Sequence, residues 1–65
     1  MENDLKVRRA KADLTQADLA DVVDVSRQTI NAIEGGRYDP SLELAFRLAG
    51  YFGCSIEDIF DAPDD

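Results

Sequence analysis

Leu14-Thr15-Gln16-Ala17-Asp18-Leu19-Ala20-Asp21-Val22-Val23-Asp24-Val25-Ser26-Arg27-Gln28-Thr29-Ile30-Asn31-Ala32-Ile33-Glu34 reads as two short helices joined by a tight turn. Thr15 stands three residues before Asp18, and Ser26 three before Thr29, so a hydroxyl N-cap opens each helix. Only the first pair also supplies a carboxylate and completes a capping box. An apolar residue precedes each cap and another follows it: Leu14 with Leu19, and Val25 with Ile30. This is the hydrophobic staple, which fixes the angle at which the chain enters a helix. The two caps lie so close that only a few turn residues fit between the helices, as in a helix-turn-helix.

Working outward, the second helix has two unlike sides. At 100° per residue Ile30 and Ile33 fall together and face a core. The opposite side carries Gln28, Asn31 and Ala32, flanked by Arg27 and Thr29. A solvated helix face favours Lys, Glu and Asp. This one offers amides, which pair in two-point fashion with adenine, and an arginine, which does so with guanine. The competing reading leaves Gln28 and Asn31 as ordinary solvated polar residues. The caps and the turn favour base reading.

Around this unit the spacing predicts three more helices. The first runs from about Asp4 to Ala12, with Leu5, Val7 and Arg9 turned inward and Asp13 ending it. Gly35-Gly36 stops the helix that begins at Arg27, because glycine accepts the left-handed geometry found just past a helix end. Tyr38-Asp39-Pro40 is an extended loop, since a residue before proline is pushed out of the helical region. Ser41 caps a fourth helix whose Leu42, Ala45, Leu48, Ala49 and Phe52 recur at helical spacing, and Gly53 ends it. Ser55 and Asp58 repeat the capping box for a short fifth helix, Ile56 to about Phe60. Pro63-Asp64-Asp65 reads as a frayed tail, part of an acidic end at 61–65. No strand, internal repeat or linker is expected.

The pieces Leu14-Thr15-Gln16, Leu19-Ala20, Val25-Ser26-Arg27-Gln28-Thr29-Ile30, Ile33-Glu34, Gly36-Arg37-Tyr38, Pro40-Ser41-Leu42-Glu43-Leu44-Ala45 and Ile56-Glu57-Asp58-Ile59-Phe60 occur in one order across the chain. In that order they resemble the Cro/repressor-type helix-turn-helix family, also called the XRE family, and its small single-domain members in particular. The resemblance implies an all-α, five-helix, lambda-repressor-like domain over residues 1–65, with the motif at about 15–35. It implies that Gln16 contacts a DNA phosphate and that Ser26, Arg27, Gln28 and Ala32 lie at or near the DNA. The loop from Gly35 to Tyr38 would touch the backbone, and Arg9 and Glu34 would form an internal ion pair. Two departures stand out. Asp24 occupies a turn position usually held by glycine, and Ala32 is small enough only to touch a thymine methyl, not to hydrogen-bond a base.

Composition narrows the rest. Sixty-five residues make one domain at the small end of independent folding. No apolar run is long enough to cross a membrane and no signal-peptide pattern is present, so a cytoplasmic protein is the default. Cys54 is the only cysteine and there is no histidine, so neither a disulfide, a zinc site nor the usual general base is expected. We expect no enzyme, no catalytic residue, no metal, no cofactor and no small-molecule ligand.

A net charge of −7 argues against DNA binding, since duplex affinity normally comes from cations on phosphates. Its distribution softens the objection: residues 1–11 carry +2 and 25–38 carry +1, while 57–65 carry −5 and 12–24 carry −4. The 12–24 cluster must point sideways or away from phosphates. Ten aspartates against two lysines is similar to halophilic proteins of a salt-rich cytoplasm. At about 1 M salt the Debye length falls to roughly 3 Å, and acidic surface then repels DNA only at contact. An ordinary acidic protein is the other reading.

Together these features predict a sequence-specific DNA-binding transcriptional regulator with the helix at about Arg27–Glu34 in the major groove of double-stranded DNA. Arg27, Gln28, Asn31 and Ala32 would contact bases; Gln16, Ser26, Thr29, Arg37 and Tyr38 would hold the backbone; Arg9 and Glu34 would be structural. Tyr51, Phe52, Ile56, Ile59 and Phe60 are a large apolar supply for the last stretch of so small a domain. Either they close the core, or Tyr51, Ile56, Ile59 and Phe60 form the two-fold contact of a homodimer that spans two half-sites. The alternative function is a protein-interaction module, an antitoxin or accessory factor that keeps the helix-turn-helix shape.

Overall fold

Hydroxyl caps begin four of the five helices in the computed structural model, which describes residues 1–62. The helices are α1 (Leu5–Lys11), α2 (Gln16–Val23), α3 (Arg27–Glu34), α4 (Leu42–Phe52) and α5 (Ile56–Ile59). Thr15 accepts the Asp18 amide at 3.0 Å, Ser26 that of Thr29 at 3.1 Å, Ser41 that of Leu44 at 3.1 Å and Ser55 that of Asp58 at 3.2 Å. The Asp18 and Asp58 carboxylates return the bond to the cap amides, completing both capping boxes. Each satisfies helix-end N–H groups that would otherwise lack partners.

The ends of α1 to α4 share one device. A left-handed residue lies one or two positions past each helix: Asp13 (φ 60), Asp24 (φ 59), Gly36 (φ 75) and Gly53 (φ 69). The amide that follows it reaches back five residues, as in Leu14 to Arg9, Val25 to Ala20, Arg37 to Ala32 and Cys54 to Ala49. This is the Schellman motif, which satisfies terminal carbonyls and turns the chain sharply. Twice it is built on aspartate rather than glycine.

The turns fold the apolar faces onto one core. Leu5 of α1, Leu19 and Val23 of α2, Ile30 and Ile33 of α3, Leu48 of α4 and Ile59 of α5 are fully buried. Leu14 and Val25, the staple residues before the two caps, pack against this cluster half-buried. Arg47 of α4 donates to the Val23 carbonyl at 3.1 Å, placing a cation at the negative end of α2.

Several expectations need correction. Val7 is 52% exposed, because two residues along a helix from Leu5 is the opposite side. Leu42 is 68% exposed: as the first residue of α4 its side chain remains in solvent at the mouth of the helix. Phe60 does not continue α5. It is extended (φ −110, ψ 133) and pairs antiparallel with Asn3, where no strand pairing was expected. The Asp4 amide donates to Ile59 and the Asp61 amide to Glu2, at 3.0 and 2.9 Å. This pairing presses Ile59 and Phe60 inward until they are 2% and 4% exposed. Both belong to the core of a single chain and have no surface to give a partner. Pro63-Asp64-Asp65, expected as a frayed tail, lies outside the described residues.

Candidate nucleic-acid interface

The outer side of α3 is built from the ion pair beneath it. Arg9 donates from Nε and Nη2 to Glu34 Oε2 and Oε1 at 2.7 and 3.3 Å, and from Nη1 to the Leu14 carbonyl at 2.7 Å. The Glu34 side chain is 5% exposed and that of Arg9 15%, so the pair is largely shielded from water. It ties α1 to α3 and also secures the turn into α2.

A polar chain leads outward from this pair. Gln16 Nε2 donates to Glu34 Oε1 at 3.0 Å, and Gln16 Oε1 accepts from Asn31 Nδ2 at 3.4 Å. Asn31 Oδ1 in turn accepts from Arg37 Nη2 at 2.7 Å. Arg9, Glu34, Gln16, Asn31 and Arg37 thus form one connected series from the interior to the surface. Arg37 reaches its place because left-handed Gly36 turns the chain back over the end of α3.

The structure gathers Gln16, Arg27, Gln28, Asn31 and Arg37 around one open cleft of about 350 Å³. Arg27 and Gln28 are exposed on its α3 wall, and among the described residues their side chains make none of the hydrogen bonds that engage Gln16, Asn31 and Arg37. Ala32 is half-buried beside them. The Ser26 and Thr29 hydroxyls bond each other at 2.9 Å at the start of α3, so both are committed to the cap. Tyr38 is 48% exposed and does not line this cleft.

Lys6 was not among the expected site residues. It lines an adjoining cleft of about 210 Å³ with Gln16, Asn31, Glu34, Gly35 and Arg37, and so puts a second cation near Arg37. Its spacing from Arg9 was the available clue, because residues three apart share a helix face. Among the charges that oppose DNA, Asp18 is turned back onto its own helix. Hydrogen bonds from the Thr15 amide and hydroxyl hold its carboxyl below the ordinary aspartate range. Among the described residues no cluster of His, Cys, Asp and Glu is arranged to hold a metal, and no helix is long and apolar enough to cross a membrane.

The sequence profile of the helix-turn-helix family matches residues 5–59. A Methanocaldococcus jannaschii protein described as an uncharacterized HTH-type transcriptional regulator is 62% identical over 65 residues, covering 100% of this chain and 98% of its own length. One from Archaeoglobus fulgidus, described in the same words, is 48% identical over 60 residues, 92% of this chain and 84% of the relative. Among solved structures, the clp gene regulator ClgR of Corynebacterium glutamicum superposes with a TM-score of 0.74 at 31% identity. That match covers 83% of this chain and 57% of ClgR.

Proposed function

The chain belongs to the Cro/repressor-type (XRE) helix-turn-helix family and is a sequence-specific DNA-binding transcriptional regulator, and we propose that it reads its operator with α3 in the major groove. The observation that carries this assignment is the pairing of two kinds of side chain on one cleft. Arg27 and Gln28 are exposed and unengaged, whereas Gln16 and Arg37 beside them are held in place. Free amide and guanidinium groups suit base edges, and fixed ones suit phosphates, whose positions do not vary with sequence. Ala32 adds a methyl suited to thymine. In this reading Ser26 and Thr29 at the start of α3, and Tyr38 beyond its end, would hold the DNA backbone.

We further propose that two copies bind together, since such motifs read half-sites about one helical turn apart. With Ile59 and Phe60 enclosed, the expected contact residues that keep exposed surface are Tyr51 and, in part, Ile56.

Selection of duplexes from a random pool, followed by gel shifts, tests both proposals. The expected result is a near-palindromic consensus with half-sites one turn apart. Gln28→Ala should lose roughly 1–3 kcal/mol on that site and relax discrimination at one base pair. An equal loss on every sequence would remove Gln28 from the reading set. No enrichment at any salt concentration would favour the protein-interaction module instead.

A further inference from the structure

Resting on that DNA-facing assignment of α3, we propose that Asn31 is a positioning residue and not a base reader: it holds the Arg37 guanidinium for a DNA phosphate and ties it, through Gln16, to the buried Glu34. Both ends of the Asn31 amide are engaged. Its Oδ1 accepts from Arg37 Nη2 at 2.7 Å, a charge-assisted bond, and its Nδ2 donates to Gln16 Oε1 at 3.4 Å. Two-point recognition of adenine needs the oxygen and the nitrogen of one amide together. Asn31 could present them only by releasing Arg37.

The place where Arg37 is held supports the assignment. Its guanidinium lies over the last turn of α3, so that a Cβ added at Gly35 would sit 3.7 Å from Arg37 Cζ and 3.5 Å from the Asn31 carbonyl oxygen. There the cation faces the negative end of the helix. One of its N–H groups goes to Asn31, and the others can still serve a phosphate. Lys6 and Arg37 both line the adjoining cleft of about 210 Å³, together with Gln16, so two cations border it. An arginine on a surface loop ordinarily samples many rotamers and must be immobilised when DNA arrives. Asn31 does this beforehand, and Gln16 links Asn31 to Glu34, whose position the Arg9 pair secures.

The test uses the full chain as wild type, Asn31→Ala, Arg37→Ala and the double variant. Each is titrated against the duplex enriched by selection and its single-base variants, over a series of potassium chloride concentrations. Asn31→Ala should weaken binding by roughly two- to tenfold on every duplex, the cost of immobilising one long side chain, and leave the order of base preference unchanged. Arg37→Ala should also lower the salt slope by about 0.9, one phosphate contact. Adding Asn31→Ala to Arg37→Ala should cost less than about twofold more, because the two act as one unit. In the free protein, nitrogen-15 NMR should show slowed rotation of the Arg37 guanidinium, lost in Asn31→Ala and kept in Asn31→Asp, which retains the acceptor. A changed preference at one base pair, or losses that multiply in the double variant, would overturn the proposal. A wild type that enriches no duplex would overturn the DNA-facing premise, and the positioning role with it. The NMR comparison would then show whether Asn31 and Arg37 interact independently of DNA.

Discussion

The Glu34 carboxylate accepts from Arg9 on one side and from Gln16 on the other, and it does so at 5% exposure. A carboxylate that far from water is tolerable only while its partners remain, and breaking such a pair costs roughly 3–5 kcal/mol. Glu34→Gln should therefore lower the melting temperature by more than about 10 °C in a domain of this size. The consensus selected from random duplexes should stay the same, because Arg27 and Gln28 do not touch Glu34. Thermal melting by circular dichroism and a repeat of the selection check the two halves. Unaltered stability with an altered consensus would move Glu34 from the framework into the reading set.

Four helices end on a left-handed residue, and at Asp13 and Asp24 that residue has a Cβ and a negative charge. An L-residue there costs roughly 1–2 kcal/mol, part of which glycine's greater freedom in the unfolded chain would offset. The carboxylate also sits at the negative end of its helix. Asp24→Gly should raise stability by about 0.5–1 kcal/mol. Asp24→Asn, which removes the charge and keeps the Cβ, should recover only part of that, and thermal melts at equal ionic strength would separate the two causes. At the other ends of the helices, the carboxyls of Asp18 and Asp58 titrate below the ordinary value of 3.8 because the Thr15 and Ser55 amides and hydroxyls bond the charged form. A folded-state pKa below the unfolded one contributes stability above the unfolded value, lost as pH falls through the folded one. Melting temperature should thus drop on acidification below about pH 4, and less steeply in Asp18→Asn and Asp58→Asn. Equal acid profiles for wild type and both variants would count against this.

Seen as one body, the chain pairs a net charge of −7 with exposed apolar side chains on α4, Phe46 at 61% and Tyr51 at 45%. If the proposed dimer forms through Tyr51 and Ile56, neighbouring carboxylates such as Glu57 and Asp61 would approach their two-fold mates. That repulsion reaches about 10 Å at 0.1 M salt and roughly 3 Å at 1 M, while apolar burial persists at both. Association should therefore tighten as potassium chloride rises, and Ile56→Asp or Tyr51→Ser should weaken it. Sedimentation equilibrium at low and high salt measures this, with Phe46→Ser marking the other exposed side of α4. A dimer lost with Phe46→Ser and unmoved by the first two would place the contact there. Ile59→Asp is unsuitable, because a charge at a 2% exposed position would unfold the domain before it informed on the dimer.

Caps, staples and the inward face of α3 were legible in the sequence because each depends on residues within about one turn of one another, whereas on α4 the spacing turned Leu42 inward, where it is 68% exposed, and passed over the buried Leu44. The proposed reading surface was legible for the same reason, as the side of α3 opposite Ile30 and Ile33. The resemblance supplied what local chemistry does not encode, the pairing of Arg9 with Glu34. Three features were decided only when distant parts of the chain met. Asn3 and Phe60 pair across the whole domain and draw Ile59 and Phe60 inside. Lys6 comes to the cleft of Gln16 and Arg37 from another helix. Asn31 reads on its own as a free amide, yet Gln16, fifteen residues earlier, and Arg37, brought back by the turn at Gly36, occupy both its ends. Helical periodicity states which way a side chain points; what waits there depends on how the helices pack.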